Sequence, residues 1–494
     1  MSSKLYVRGG VVLTAGAVAS SACSFARNIV IARLLGVEDY GIAAIFVIAV
    51  SLIERLSYLG LDRFIVQNVA GGEERVQAVA QAFQLVRGVV GAALLFALAQ
   101  PIATMFGVPE VAPAFRWFAL YPLIRGMAHL DLARFQREMK FKVLVLTDLA
   151  PQAVTLAIAA PIALWLGDYR VMLFVFIVQA ACYVATSHAL AERPFRLAWD
   201  TTILGQMLVF GWPLLLNGLL MFGILQGDLV IVGTALTTLE LGYFSAAFTL
   251  MMAPAVILTK VLQSYFLPLL ASVQNDSATY AKRHIMTTQT CLLAGASFAA
   301  GAMICGDDLL VLMYGEKYAP AAAVVPWLAA MQGVRIFRIS QSVAAIGKGQ
   351  TTIPMYANVA RSVAIVLAIA SVLLGYGLVG VAASSLLGEL FAMLWSQRLL
   401  RRRLGLTTAS FGPALITVVL LLAALGACLA IFDRQRPLLV MDFALGIAAS
   451  GCIAVGLLWA SNELRQAARR HTSRGGDDPP RLDEHAVAAT LENA

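Results

Sequence analysis

Charge is what this chain most lacks. Only 13% of its 494 residues are Asp, Glu, Lys or Arg, against about 25% in a soluble domain. Hydrophobic residues make up 60% and come in long blocks separated by short polar loops. A soluble globular chain is excluded, and the pattern is that of an all-α polytopic membrane protein. There is no P-loop, HExxH or GxSxG motif, so ATP-driven pumping by this chain alone and the corresponding hydrolase chemistries are excluded. The six cysteines (23, 182, 291, 305, 428 and 452) lie inside hydrophobic spans without a CxxC pair, and the five histidines are scattered. We read the cysteines as small packing residues and expect no metal and no cofactor. Ser20-Ser21-Ala22-Cys23 faintly resembles a lipoprotein cleavage box, but Ser20 stands where a Leu-like residue belongs and the apolar run continues past it, so the first span is read as uncleaved. The net charge of +8 is spread over many loops with no aromatic-interleaved basic patch, which argues against nucleic acid.

The twenty-residue rule gives about fourteen spans: roughly 10–33, 41–63, 79–106, 112–130, 143–166, 170–190, 204–234, 241–270, 284–306, 320–346, 353–375, 378–400, 411–432 and 438–461. With the N-terminus inside, 22 loop cations fall on the cytoplasmic side and five on the other. That bias predicts two cytoplasmic termini and an even number of spans. Residues 462–494 are charged, with Gly475-Gly476 and Pro479-Pro480, and read as a disordered cytoplasmic tail whose basic start lies against anionic membrane lipids.

The chain repeats itself at an offset of 201. Leu35, Asp39 and Gly41 align with Leu236, Glu240 and Gly242. In both copies a long apolar helix ends in an acidic loop and glycine opens the next helix. Six spans separate the copies, so both cross in the same sense. We therefore expect a six-helix lobe over 1–200, a second over 201–404, a pseudo-twofold axis along the membrane normal, and two appended helices over 405–461.

Nine cations fall within the spans: Arg27, Arg55, Arg87, Arg116, Arg125, Lys260, Arg335, Arg338 and Arg361. The clear acids there are Glu54, Asp148, Asp228 and Glu389. A charge at the bilayer centre costs about 2.5–3.5 kcal/mol even on lenient scales. The surplus of positive charge predicts a cationic, wet cavity lined by Arg27, Arg55, Arg87, Lys260, Arg335 and Arg338. Two stripes support it: Ser51, Arg55, Tyr58 and Asp62 on one helical face, and Gln332, Arg335, Arg338 and Gln341 on another. The competing reading is snorkelling to the surface, which suits Arg116, Arg361 and Arg125 near span ends. Glu54, Asp148 and Asp228 read either as gating or coupling groups for H+ or Na+ or as static ion pairs. Arg27 and Asp228 occupy equivalent repeat positions and either meet or face each other across a cleft. Glu389 packs between helices. Prolines 122, 151, 161, 213, 254, 268, 326 and 354 favour kinks within spans.

The stretch from Arg27-Asn28-Ile29 through Ala32-Arg33-Leu34-Leu35-Gly36 to Glu38-Asp39-Tyr40-Gly41 resembles the N-terminal signature of polysaccharide flippases of the multidrug/oligosaccharidyl-lipid/polysaccharide exporter superfamily. Leu59-Gly60-Leu61, Ile65-Val66-Gln67, Gly211-Trp212-Pro213, Gln226-Gly227-Asp228, Leu241-Gly242-Tyr243-Phe244-Ser245 and Phe266-Leu267-Pro268 fit the same pattern. The resemblance implies two six-helix lobes around a central cavity. It implies alternating-access transport of an undecaprenyl-diphosphate-linked oligosaccharide across a bacterial inner membrane for O-antigen, capsule or exopolysaccharide. Arg27, Arg55 and Lys260 stand in spans one, two and eight, which in related lipid-linked peptidoglycan precursor flippases line the cavity. Association with polysaccharide polymerase machinery is a further implication. Two other classes stay open: a multidrug/cation antiporter of the same architecture, which calls for a more acidic or apolar cavity, and an integral membrane glycan polymerase or ligase. Neither the sugar nor the ion is written in the sequence.

Overall fold

A computed structural model describes residues 3–56 and 59–406. The last two predicted spans, the charged tail, Tyr58, Cys428 and Cys452 lie outside the described residues. The chain is helical and, among the described residues, without strands. The N-terminal half comprises α1 (Ser3–Leu34), α2 (Val37–Leu56), α3 (Leu61–Gln67), α4 (Glu74–Met105), α5 (Ala112–Phe118), α6 (Leu120–Gly126), α7 (Asp131–Arg137), α8 (Phe141–Leu166) and α9 (Arg170–Ala189). The C-terminal half comprises α10 (Thr201–Ala235), α11 (Thr238–Ala271), α12 (Ser277–Tyr314), α13 (Val325–Gly347), α14 (Thr352–Arg361), α15 (Val363–Leu373) and α16 (Gly377–Leu404). Each of the first twelve predicted spans corresponds to one helix or one broken pair. Ten of these are long and apolar enough to cross a membrane; the protein is a multi-pass membrane protein.

Local chemistry sets the helix ends. Asp200 accepts from the backbone N–H groups of Thr202 and Ile203 at 3.0 and 3.2 Å to start α10. Thr237 and Glu240 form a capping box at α11, so the acidic loop residue of the second repeat copy satisfies a helix start. Gly167 and Gly405, with φ of 70° and 65°, close α8 and α16 in the left-handed region. The fourth span divides after Phe118 because Pro122 has no N–H to offer that carbonyl. Among the other prolines, 151, 161, 213, 254 and 268 sit within continuous helices, and Pro326 lies in the first turn of α13, where it costs no hydrogen bond.

The predicted stripe through Ser51, Arg55, Tyr58 and Asp62 is not a single helix face. α2 ends at Leu56, Gly60 turns the chain at φ 62°, and Asp62 belongs to α3.

The two halves meet along α2. Near its start a Cβ on Gly41 would lie 1.9 Å from the Thr238 carbonyl oxygen, and one on Gly242 would lie 2.2 Å from that of Val37. Both pairings conserve the 201-residue offset, so the two repeat copies touch each other through equivalent atoms. At the other end α2 passes α10, where Gly218 faces the Arg55 carbonyl. Backbones this close leave no room for a methyl group. Gly41→Ala or Gly242→Ala is expected to cost about 1–3 kcal/mol by overpacking, read as a lower unfolding midpoint of the purified protein.

The connection at α7 is held by Asp131, which accepts from Arg134 Nε at 2.6 Å and from the backbone N–H groups of Glu192 and Arg193 at 2.8 and 3.3 Å. Burial pushes this carboxyl up, but those hydrogen bonds and the guanidinium outweigh it and hold its pKa below the usual carboxylate value. The resulting stability is full above the unfolded value of about 3.9 and is lost as pH falls through the lowered one. Asp131→Asn is therefore expected to remove this acid-limb loss in a melting-against-pH series.

Candidate functional site

Two polar cavities open inside the N-terminal half and share the side chains of Glu54, Tyr121, Arg125 and Tyr183. The first holds about 310 Å³ and is completed by Ser20 and Ser21 of α1, Asp148 and Gln152 of α8, and Gln179 of α9. Lys260 reaches it from α11, the C-terminal half's contribution to its lining. The second holds about 350 Å³ and adds Asp62, Gln84, Arg87 and His129. Tyr121 donates to Glu54 Oε1 at 2.5 Å, and the Arg125 guanidinium lies 3.8 Å from the centre of the Tyr183 ring. A charge stacked on an aromatic face keeps N–H edges for a ligand. The spacings 121/125, 148/152 and 179/183 are each one helical turn, which turns each pair to one side of its helix.

Arg125 is thus a cavity residue, not a surface-seeking one; its guanidinium lies over Tyr183 instead of reaching the membrane surface. Arg116 is exposed, in keeping with snorkelling. Arg361 is 5% exposed. It lies near the end of α14, but α14 and α15 together form one span broken at Ser362, which places it mid-span.

Among the other sequence-derived candidates, Arg27 sits behind the first cavity. Its Nη1 donates to Gln152, Thr155 and Gln179, each at 3.1 Å. Gln152 and Gln179 also line that cavity. Arg55 is exposed at the end of α2 and is not among the lining residues of either polar cavity. Arg87 lines the second cavity and Lys260 the first. Glu54 lines both, and Asp148 the first.

Arg335, Arg338 and Asp228 belong to a separate cluster inside the C-terminal half. Glu389, fully buried on α16, takes Arg361 Nε at 2.6 Å, Arg338 Nε at 2.8 Å and Arg335 Nε at 3.9 Å. Arg338 also approaches Asn358 at 3.4 Å, and Asp228 is buried beside Ser385. Arg27 and Asp228 therefore have different partners and do not pair, despite equivalent repeat positions. Glu389 organises this cluster and does more than fill space between helices.

This distribution corrects the expected net-basic cavity. The cations lining the two polar cavities are Arg87, Arg125 and Lys260, and the acids are Glu54, Asp62 and Asp148. The positive surplus lies elsewhere: three arginines surround Glu389, and Arg27 is withdrawn into amides.

Beside the first cavity runs an apolar groove of about 650 Å³ between α1, α11 and α12, lined by Ala22, Phe25, Pro254, Ile257 and Phe298 among others. Ser21 and Ala22 are neighbours on α1, and Ile257 and Lys260 are one turn apart on α11. Polar cavity and apolar groove therefore flank the same two helices.

The profile of a family described as polysaccharide biosynthesis protein matches residues 30–323, more than half of the chain. The chain belongs to that family. Named relatives are distant. The succinoglycan biosynthesis transport protein ExoT of Rhizobium meliloti (strain 1021) is 22% identical over 307 residues, 62% of each chain. The amylovoran biosynthesis protein AmsL of Erwinia amylovora is 22% identical over 283 residues, 56% of this chain and 73% of that one. The match to the first thus spans just under two thirds of its length. Among solved structures, the lipid II flippase MurJ in an inward closed conformation superposes with a TM-score of 0.65 at 11% identity, over 91% of this chain and 99% of that one. An inward-facing multidrug resistance MATE family transporter of the MOP superfamily gives 0.64 at 14%, over 79% and 96%. At such identities the likeness is one of fold.

Proposed function

We propose that the chain flips an undecaprenyl-diphosphate-linked oligosaccharide across a bacterial inner membrane by alternating access, with both termini cytoplasmic. One observation carries the reading: a polar cavity and an apolar groove lie side by side on α1 and α11, as an amphipathic substrate requires. The polyprenyl tail lies in the groove and the surrounding bilayer. The diphosphate meets Arg125 and Lys260, one from each half, through charge-assisted hydrogen bonds. The amides of Gln152 and Gln179, the tyrosines and the acids face the sugar. Family membership and a relative named as a transport protein agree with this assignment. Glu54 and Asp148, open to the cavity, are the groups we assign to a coupling H+ or Na+. Asp228 suits that role less, because its cluster already holds three guanidinium groups that repel a cation. Polymerase machinery is the expected recipient of the product.

Deleting the gene tests the reading. Lipid-linked repeat units are expected to accumulate on the cytoplasmic leaflet. Retention of drugs instead would assign an antiporter, and units flipped but left unpolymerised would assign a polymerase or ligase.

A further inference from the structure

The helix ends that meet where the halves close carry an arrangement that neither the repeat nor the cavity accounts for. α1 ends at Leu34 and α12 at Tyr314. An α-helix leaves its last four carbonyls without intrahelical donors. The N–H groups of Leu35 and Gly315 satisfy Ile31 and Val311, and five nearby carbonyls, of Ala32, Arg33, Leu35, Leu312 and Met313, accept from the opposite half. Arg33, in the last turn of α1, donates through Nη1 to the carbonyls of Leu312 and Met313 at 2.6 and 3.5 Å. Lys317, just past α12, donates through Nζ to the carbonyl of Arg33 at 2.9 Å and to that of Leu35. The Tyr318 hydroxyl donates to the Ala32 carbonyl at 3.2 Å. Thr238 Oγ1 donates to Glu38 across the same seam at 3.1 Å.

We propose that Arg33 and Lys317 form a reciprocal latch, each capping the carbonyl end of the helix that the other extends, and that this exchange holds the two halves shut at this end. The chemistry favours such a device. The carbonyl end of a helix carries partial negative charge that attracts a cation within the last turn. Separation of the halves strips both helix ends of their caps at once, so closure here is cooperative. Both cations are exposed, so water can replace them when the seam opens, and the latch is releasable. Beneath it, Tyr318 is fully buried and its ring lies 6.0 Å from Tyr40, 5.5 Å from Tyr314 and 6.4 Å from Tyr243. The latch thus covers an aromatic plug built from both halves. In the orientation proposed above it lies on the extracytoplasmic side, and its release is the step that exposes the cavity there. That last statement rests on the transport reading; the latch itself rests on the helix ends.

The test measures the distance between the halves. Spin labels at Glu110→Cys and Tyr376→Cys, both exposed at this end, are placed in the full chain with its native cysteines replaced, in lipid nanodiscs without substrate. The unmodified latch is expected to give one short distance population. Arg33→Ala with Lys317→Ala is expected to move the closed-to-open ratio about ten-fold toward a longer one, as loss of cation–helix-end interactions at both ends implies. Arg33→Lys with Lys317→Arg is expected to keep the short population. Where the alanine pair does not fold, Arg33→Gln with Lys317→Gln gives the same readout, with the same expected shift. An unchanged distance in the folded neutral variants overturns the latch, whatever a transport assay shows. A native chain that exports no lipid-linked oligosaccharide, with the alanine pair still lengthening the distance, leaves the latch standing and tells against the proposed substrate.

Discussion

Lys260→Ala is expected to abolish export of the lipid-linked oligosaccharide while leaving protein level and melting unchanged. Lys260 projects from α11 into a cavity otherwise lined by the N-terminal half, so it is the group through which a bound headgroup links the halves. A hydrogen bond to a charged group contributes about 1.5–3 kcal/mol, equivalent to roughly a ten- to hundred-fold loss of affinity. A diphosphate left facing Glu54 and Asp148 without that cation also meets repulsion. Arg125→Ala is expected to act in the same direction, and Lys260→Arg to retain part of the activity. The readout is restoration of polymer in a deletion strain, with membrane protein quantified in parallel. Full restoration by Lys260→Ala removes Lys260 from the site.

Glu389→Ala is expected to have the opposite profile: loss of the folded protein rather than of transport per molecule. Removing the carboxylate strands Arg335, Arg338 and Arg361 together in an apolar interior. Breaking a buried ion pair by deleting one partner costs about 3–5 kcal/mol because the remaining charge has no compensation. Here one acid serves three cations, so the upper end applies. Size-exclusion profiles and melting of the purified variant should show aggregation or a strongly lowered midpoint. A variant as stable as the native chain would mean that the cluster is satisfied by some group other than Glu389.

Much of the fold was legible in the sequence because membrane spans announce themselves by length and composition, and because the acidic loops preceding Gly41 and Gly242 mark equivalent turns. The contact between those two glycines gives the repeat its physical meaning: each lacks a side chain because the other copy's backbone occupies the space. The site was less legible. Sequence position alone cannot say which intramembrane arginines share a carboxylate. Arg27 meets Gln152, Thr155 and Gln179, more than a hundred residues away in the chain. Arg338, Arg361 and Glu389 come together from three different helices. Arg361 stands toward the start of the span predicted over 353–375 and Arg125 toward the end of the one over 112–130, where position alone does not separate a buried cation from a snorkelling one. The one-turn spacings of Tyr121 with Arg125 and of Gln179 with Tyr183 were the available signal, since each pair turns two ligand-capable side chains to one side of a helix.

The central claim is that the diphosphate headgroup lies between Arg125 and Lys260 with its tail along the α1–α11 groove. Photo-crosslinking tests it most directly, using a lipid-linked oligosaccharide that carries a photoreactive group on the sugar next to the diphosphate, bound to the full chain in nanodiscs and mapped by peptide mass spectrometry. The predicted result is labelling on α1, α6, α8 and α9 around Ser21, Arg125, Gln152 and Tyr183, lost in Lys260→Ala. Labelling confined to α13 and α16 around Arg335, Arg338 and Glu389 would contradict it.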